Sequence, residues 1–229
     1  MDSLYLIKKI SQENFYVNKK VVVEMKQLIA DAEWKLEYFE KYATCSNIIS
    51  IATLNTRSLP AHIDDILQDQ YLINNMILCF QETGTIFLPN RNEFSKFNFN
   101  TSYFVHGMLS CIDKNIDILA TKKFCNDKVE LIMSKLYIQQ HVCIMNIYAT
   151  PFSSATMIID TISITKEQML HSDSILLIIG DFNIDIHANS RRSRQLIEYT
   201  HSQQLNEITN KSTPKTKSHI DHIWTNFPF

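Results

Sequence analysis

The sequence predicts an α/β protein with a mixed sheet arrangement. Two observations carry this: short apolar, β-branched runs alternate with stretches of helical periodicity, and in the middle of the chain several such runs follow one another with no helix between them. A chain of 229 residues, 45% hydrophobic and 20% charged, has ample material for a core and lies far from disordered compositions. It exceeds the usual ~150-residue domain by about half, which suits one domain with an appendage better than two domains.

Taken in order, Val22, Met25, Leu28, Ile29, Ala32, Leu36 and Phe39 recur at helical spacing, so Lys20 to Tyr42 reads as one amphipathic helix. Ile48–Leu54 then changes character to a β-branched strand. The stretch from Arg57 to about Gln70 reads as a helix, with Pro60 tolerated in its first turn. Strand-like runs follow at Met76–Phe80, Ser102–Val105, Asp117–Ala120, Val129–Ile138, Val142–Tyr148 and Ile175–Ile179. Helical stretches fall between Ser153 and His171 and between Arg192 and Gln203, and Asn210–Lys217, around Pro214, reads as a loop.

Composition excludes several chemistries. The three glycines, Gly84, Gly107 and Gly180, are too far apart for a G-x-G-x-x-G or a Walker-type loop. Five cysteines with no C-x-x-C, most of them in apolar runs, read as buried reduced thiols of an intracellular protein rather than disulfides or a zinc site. The longest apolar stretch, Ile175–Ile179, is far too short to span a bilayer, and Met1–Asn18 does not resemble a signal peptide. The net charge of −2 is unevenly spread: residues 186–229 carry an excess of three positive charges, through Arg191, Arg192, Arg194, Lys211, Lys215 and Lys217. Such a cluster suits a phosphate-binding face and equally a solvated helix surface.

Polar residues recur where apolar strands end, and in α/β sheets those ends are where reactive side chains gather. Asn55 closes the first strand, Gln81-Glu82 the second, Asn146-Ile147-Tyr148 the run after Val142, and Gly180-Asp181-Phe182-Asn183 the run after Ile175. Asp221 lies in the last short apolar run. A carboxylate so placed needs a partner or a cation, although Glu82 reads equally as a helix cap, Asp181 as a turn residue and Asp221 as a surface-strand residue. Asp181 and Asn183 share one side of an extended backbone, whereas His222 faces away from Asp221 and is read as noncatalytic, like the other histidines. No nucleophile elbow or H-E-x-x-H is present. Asn55, Glu82, Asp181, Asn183 and Asp221 form a hard oxygen set of the kind that holds Mg²⁺ with waters and a phosphate oxygen.

The ordered series Leu54-Asn55-Thr56-Arg57-Ser58-Leu59, Cys79-Phe80-Gln81-Glu82-Thr83, Met145-Asn146-Ile147-Tyr148, Ile179-Gly180-Asp181-Phe182-Asn183 and Ser218-His219-Ile220-Asp221-His222-Ile223 resembles the endonuclease/exonuclease/phosphatase superfamily. Within it, the wording is nearest to the apurinic-type endonuclease domains of non-LTR retrotransposons and of helicase-bearing transposable elements. The resemblance implies a DNase I-like two-sheet sandwich flanked by helices over residues 48–229; residues 1–47, read as an N-terminal helical extension, lie outside it. It implies a Mg²⁺-dependent phosphodiesterase, with Mn²⁺ as a substitute, and DNA as the partner, with no membrane and no small-molecule cofactor. By the same resemblance Glu82 is the principal metal ligand and Asn55 its neighbour at the ion. Tyr148 contacts the scissile phosphate, Asp181 aligns or deprotonates the attacking water, and Asn183 stabilises charge on the phosphorus. Arg57 and the basic residues Arg191, Arg192, Arg194, Lys215 and Lys217 would touch nucleic acid.

Two departures accompany the resemblance. Arg57 stands where the repair branch commonly has an acidic residue. The family's final Ser-Asp-His motif has no counterpart before Phe229; its His acts at the scissile phosphate, and Asp221 resembles the residue that orients it. The expectation is therefore a sandwich lacking its last strand or strands, with rate reduced by on the order of 10²–10⁴ for a missing acid/base group. Two alternatives stand beside DNA nicking: an inactive copy that binds nucleic acid or protein, and a phosphatase or phosphodiesterase on a non-DNA substrate. A site of action in the nucleus would suit DNA, yet no basic localisation cluster is present, and the sequence leaves the oligomeric state open.

Overall fold

The computed structural model describes residues 5–11 (backbone only), 48–84, 92–102, 106–138, 140–170, 174–208 and 221–227. The expected helix over 20–42 and the loop over 210–217, with Lys215 and Lys217, lie outside the described residues.

Among the described residues, eleven strands form two sheets. One contains β1 (Tyr5–Ser11), β2 (Ile48–Asn55), β3 (Ile77–Gln81), β4 (Phe97–Ser102) and β5 (Met108–Asp113), in the order β1-β2-β3-β5-β4. The other contains β6 (Asp117–Cys125), β7 (Val129–Tyr137), β8 (His141–Ala149), β9 (Ile175–Asp181), β10 (Asn206–Glu207) and β11 (Asp221–Thr225), in the order β10-β11-β9-β8-β7-β6. The pairs β2–β3 and β8–β9 are parallel and the rest antiparallel. Each parallel pair is joined through helix, as parallel pairing requires: α1 (Leu59–Gln68) and α2 (Gln70–Ile73) follow β2, and α3 (Ala155–Met169) follows β8. The fourth helix, α4 (Arg191–Ser202), follows β9. Helix starts follow local chemistry: Pro60 sits in the first turn of α1, Ser154 accepts from the Met157 amide at α3, and Ser190 and Ser193 form a reciprocal capping box at α4.

The period-2 alternation of strand side chains divides the apolar residues into three layers. Ile51, Ile77, Cys79, Ile112, Val142, Ile144, Leu177, Ile179 and Ile223 point between the sheets and form the sandwich interior. Ala52, Leu54, Leu78 and Phe80 point the other way, onto Leu59, Ile63 and Ile66 of α1. Cys143, Met145, Ile147, Leu176 and Ile178 point onto Ala155, Ile158 and Ile162 of α3 and Leu196 of α4. Strands covered on both faces read as unbroken apolar runs, which is why β8 and β9 are visible in the sequence.

The architecture is the expected two-sheet sandwich flanked by helices, with corrections in its elements. Residues 5–11, expected to precede the domain as part of a helical extension, pair antiparallel with β2 as an edge strand. Of the strand expected at 102–105, Ser102 ends β4, which pairs antiparallel with β5, and residues 103–105 lie outside the described residues. β4 alternates Phe97, Phe99 and Thr101 with Asn98 and Asn100, and β6 continues through Lys122 and Lys123 to Cys125 as an exposed edge. Cys79, Cys111 and Cys143 are buried free thiols as expected, whereas Cys125 is exposed on that edge.

Gly180 (φ 145°) lies in the middle of the second sheet, and a Cβ there would collide with the Ile147 carbonyl of β8. Gly180→Ala is therefore expected to destabilise the protein by on the order of 3 kcal/mol, from backbone strain together with separation of β8 from β9. A urea midpoint within experimental error of the parent would contradict this.

Candidate active site

The interior rows that build the core turn polar at one end of the sandwich. Along β2 the inward row runs Ile51, Thr53, Asn55; along β3, Ile77, Cys79, Gln81; along β8, Ile144, Asn146, Tyr148; along β9, Leu177, Ile179, Asp181. Antiparallel β11 brings Asp221 to the same end, opposite Asp181 in register. Among the described residues, the site is thus the polar terminus of the hydrophobic core, built on strand ends.

Asn55 ties the two sheets together at this terminus. Its Nδ2 donates to Glu82 Oε1 at 2.7 Å and to Asp181 Oδ2 at 2.8 Å, and its Oδ1 accepts from the Arg57 amide at 3.1 Å. Both amide hydrogens are thereby used to aim carboxylates, and one Oδ1 lone pair is left. Asp181, 2% exposed, also accepts at Oδ1 from the Asn183 amide at 2.9 Å, and Asn183 Nδ2 donates to the Ala149 carbonyl at 2.8 Å. Three residues that leave these strand ends, Arg57, Glu82 and Asn183, have φ near 50°. Non-glycine residues in the left-handed region cost energy and are retained where surrounding structure fixes them.

Beneath the site lies a buried polar bridge between the sheets. Asn146, fully buried, accepts from Gln81 Nε2 at 2.6 Å and donates to Ser110 Oγ at 3.2 Å and to the Leu109 and Phe80 carbonyls. Gln81 Nε2 also donates to Thr53 Oγ1 at 3.0 Å. This network fixes the backbone immediately before Glu82. Beside it, the buried Glu130 carboxylate accepts from Ser102 Oγ at 3.0 Å and from the His106 amide at 2.7 Å, and the His106 ring packs 4.7 Å from the Tyr148 ring. Sequence reasoning assigned no role to Asn146, Gln81, Glu130 or His106. The available signal was a polar residue at an inward position of an otherwise apolar strand.

The site's electrostatics are those of crowded carboxylates. Asp181 is pushed up to about 6, chiefly by burial, with Glu82 adding to the rise and the Asn183 and Asn55 hydrogen bonds opposing it. Asp221 is pushed up to about 8, by burial first and then by Asp181 and Glu82, with Arg57 opposing. The Tyr148 phenol is raised by burial and then by the Glu82, Asp181 and Glu130 charges, so it stays protonated at neutral pH and donates a hydrogen bond. Carboxylates that penalise one another in this way are the donor set a hard dication relieves. Among the described residues no three His, Cys, Asp or Glu side chains form a metal cage. Mg²⁺, however, characteristically takes only one or two carboxylates and completes its octahedron with water and phosphate oxygens, and Glu82 with Asn55 fits that pattern.

The sign of the linkage is fixed by these shifts. A carboxyl whose folded pKa exceeds its unfolded value near 3.9 holds its proton more tightly in the folded state, so stability falls as pH rises from about 4 towards about 8. The metal-free protein is therefore expected to melt at a lower temperature at pH 8 than at pH 5, and Mg²⁺ to raise the midpoint more at pH 8. Scanning calorimetry with and without Mg²⁺ checks this; a Mg²⁺ effect independent of pH would contradict it.

Of the residues anticipated from sequence, the fold brings Asn55, Glu82, Tyr148, Asp181, Asn183 and Asp221 to one end of the sandwich, with Arg57 exposed beside them. Arg191 and Arg194 are exposed on α4, whereas Arg192 Nη1 donates to the Pro151 carbonyl at 3.1 Å and so fastens α4 to the loop after β8. His222 is buried, held by Glu207 and the Ile184 carbonyl. Among the described residues, no helix is long and apolar enough to cross a membrane.

No protein-family model matches the chain, and no curated protein matches it in sequence. Solved structures do match in fold. The endonuclease domain of TRAS1, a telomere-specific non-LTR retrotransposon, is similar with a TM-score of 0.58 at 12% identity, over 76% of this chain and 82% of that one. An endonuclease/exonuclease/phosphatase family protein from Leptotrichia buccalis gives 0.56 at 13% identity, over 78% and 88%. A mannosyl-6-phosphatase from Bacteroides thetaiotaomicron gives 0.58 at 13% identity, over 77% and 85%. The chain has the fold these structures share.

Proposed function

We propose that this chain is a Mg²⁺-dependent phosphodiesterase of the endonuclease/exonuclease/phosphatase superfamily that nicks DNA by water attack on a backbone phosphate. The observation that carries the reading is the Asn55 amide, which aims the Glu82 and Asp181 carboxylates from two different sheets at one point. Glu82, with the free lone pair of Asn55 Oδ1, would hold Mg²⁺, which when bound neutralises charge on the phosphate oxygens.

The remaining roles follow from groups already in place. Asp181, oriented at both oxygens by Asn183 and Asn55, aligns the attacking water and accepts its proton. The protonated Tyr148 phenol donates to a non-bridging phosphate oxygen once substrate displaces its Glu82 contact. Asn183 retains one amide hydrogen beyond that given to Ala149 and directs it to the phosphate. Asp221, opposite Asp181, helps set the protonation of that pair. Such positioning and charge neutralisation are most of what phosphoryl transfer asks of a protein.

DNA is favoured over a small phosphate ester by the likeness to a retrotransposon endonuclease domain and by the exposed Arg57 beside the site. The test is cleavage of supercoiled plasmid, with and without an abasic site, in Mg²⁺ and in EDTA, against release of phosphate from soluble inositol phosphates. Mg²⁺-dependent nicking that outruns phosphate release is the expected result. Faster phosphate release would instead assign the site to a phosphatase.

A further inference from the structure

We infer that Phe152 is a base-stacking residue that holds a nucleobase of the bound strand beside the catalytic carboxylates. This rests on the reading of the substrate as nucleic acid, and adds to it how the strand is gripped.

Phe152 is 86% exposed, well beyond Leu119 at 50%, Tyr137 at 47% and Ile164 at 46%, the other exposed large hydrophobics among the described residues. A single exposed apolar side chain is ordinary; what sets this one apart is how it is presented. The turn from Thr150 to Ser153 is stapled by its own hydrogen bonds. Thr150 N and Ser153 Oγ both donate to the Lys128 carbonyl at 2.8 Å, Ser153 N donates to the Thr150 carbonyl at 2.9 Å, and the two hydroxyls lie 3.1 Å apart. Pro151 removes a backbone freedom, and its carbonyl accepts from Arg192. A residue on such a turn loses little backbone entropy when its side chain engages a ligand.

Position and charge indicate which ligand. Phe152 follows Tyr148 by four residues, so it lies within about 14 Å of that residue along the chain, or about four base steps of 3.4 Å. Ala149, between them, carries the carbonyl that anchors Asn183. Cationic residues lie at the turn: Arg192 donates to its Pro151 carbonyl, and Arg191 and Arg194 are exposed on the first turn of α4. An exposed ring on a hydrogen-bonded turn, next to the arginines of α4 and beside a phosphodiesterase site, matches single-strand recognition, where bases stack on aromatics and the backbone meets cations.

The test is fluorescence anisotropy of short single-stranded and duplex oligonucleotides in Mg²⁺, with the full chain carrying Asp181→Asn so that binding is read without cleavage. Phe152→Ala is expected to weaken binding roughly 5- to 100-fold, the worth of one base–aromatic stack. The slope of affinity against salt is expected to stay the same because no charge is removed, and so is the melting temperature. Phe152→Tyr, which keeps the ring, is expected to restore affinity to within about twofold. Equal affinity for Phe and Ala, or a loss that Tyr does not restore, would overturn the inference. If Phe152→Ala is silent while the parent chain nicks plasmid, the stacking role fails and the proposed activity stands. If affinity falls as expected while the parent nicks nothing, the stacking role stands and the activity fails; no affinity for any oligonucleotide overturns both.

Discussion

Glu82→Gln is expected to lower Mg²⁺-dependent nicking by on the order of 10³-fold and to abolish the Mg²⁺-induced rise in melting temperature. The substitution preserves size and leaves an oxygen for Asn55 Nδ2, 2.7 Å away in the parent, so the backbone at φ 50° need not move. What it removes is the negative charge that would hold the cation. It also relieves Asp181 and Asp221, both raised in part by Glu82, so the metal-free variant should be at least as stable as the parent near pH 8. Loss of activity without loss of stability separates a ligand from a structural residue. Nicking within tenfold of the parent, or an undiminished Mg²⁺ shift, would remove Glu82 from the metal site.

Asn146→Leu is expected to cost about 2–4 kcal/mol, among the largest effects of any polar substitution in the molecule. Asn146 is fully buried, and removing it leaves the Gln81 amide without its 2.6 Å acceptor and Ser110 Oγ without its donor, in a space from which water is excluded. Because Gln81 immediately precedes Glu82, activity should fall along with stability. Urea denaturation is the measurement, and a loss below about 1 kcal/mol would show that the network contributes little.

Strands were legible where burial on both faces left an unbroken apolar run, as at Ile175–Ile179, and the polar residues Asn55, Glu82 and Asp181 marked where such runs end. Sequence reasoning missed or shortened strands at the sheet edges. β4 alternates phenylalanine with asparagine, β6 carries Lys122 and Lys123 on an open edge, and Tyr5–Ser11 includes Lys8 and Lys9. Periodicity weakens at edges because packing no longer dictates every second residue. The supporting layer of the site was hidden for another reason. Gln81 and Asn146 are 65 residues apart and meet only because two sheets stack face to face, a juxtaposition no local pattern encodes. Charge at Arg192 was legible, but its bond to the Pro151 carbonyl depends on where α4 docks.

The measurement that bears most directly on the whole account is nicking of supercoiled plasmid by the parent chain and by Asp181→Asn, each verified as folded, in Mg²⁺ and in EDTA. The account predicts nicking by the parent in Mg²⁺ alone and its loss in the variant. Nicking that persists in EDTA or in the variant, or none by the folded parent, would contradict a metal-dependent phosphodiesterase site at the Asn55-linked carboxylates.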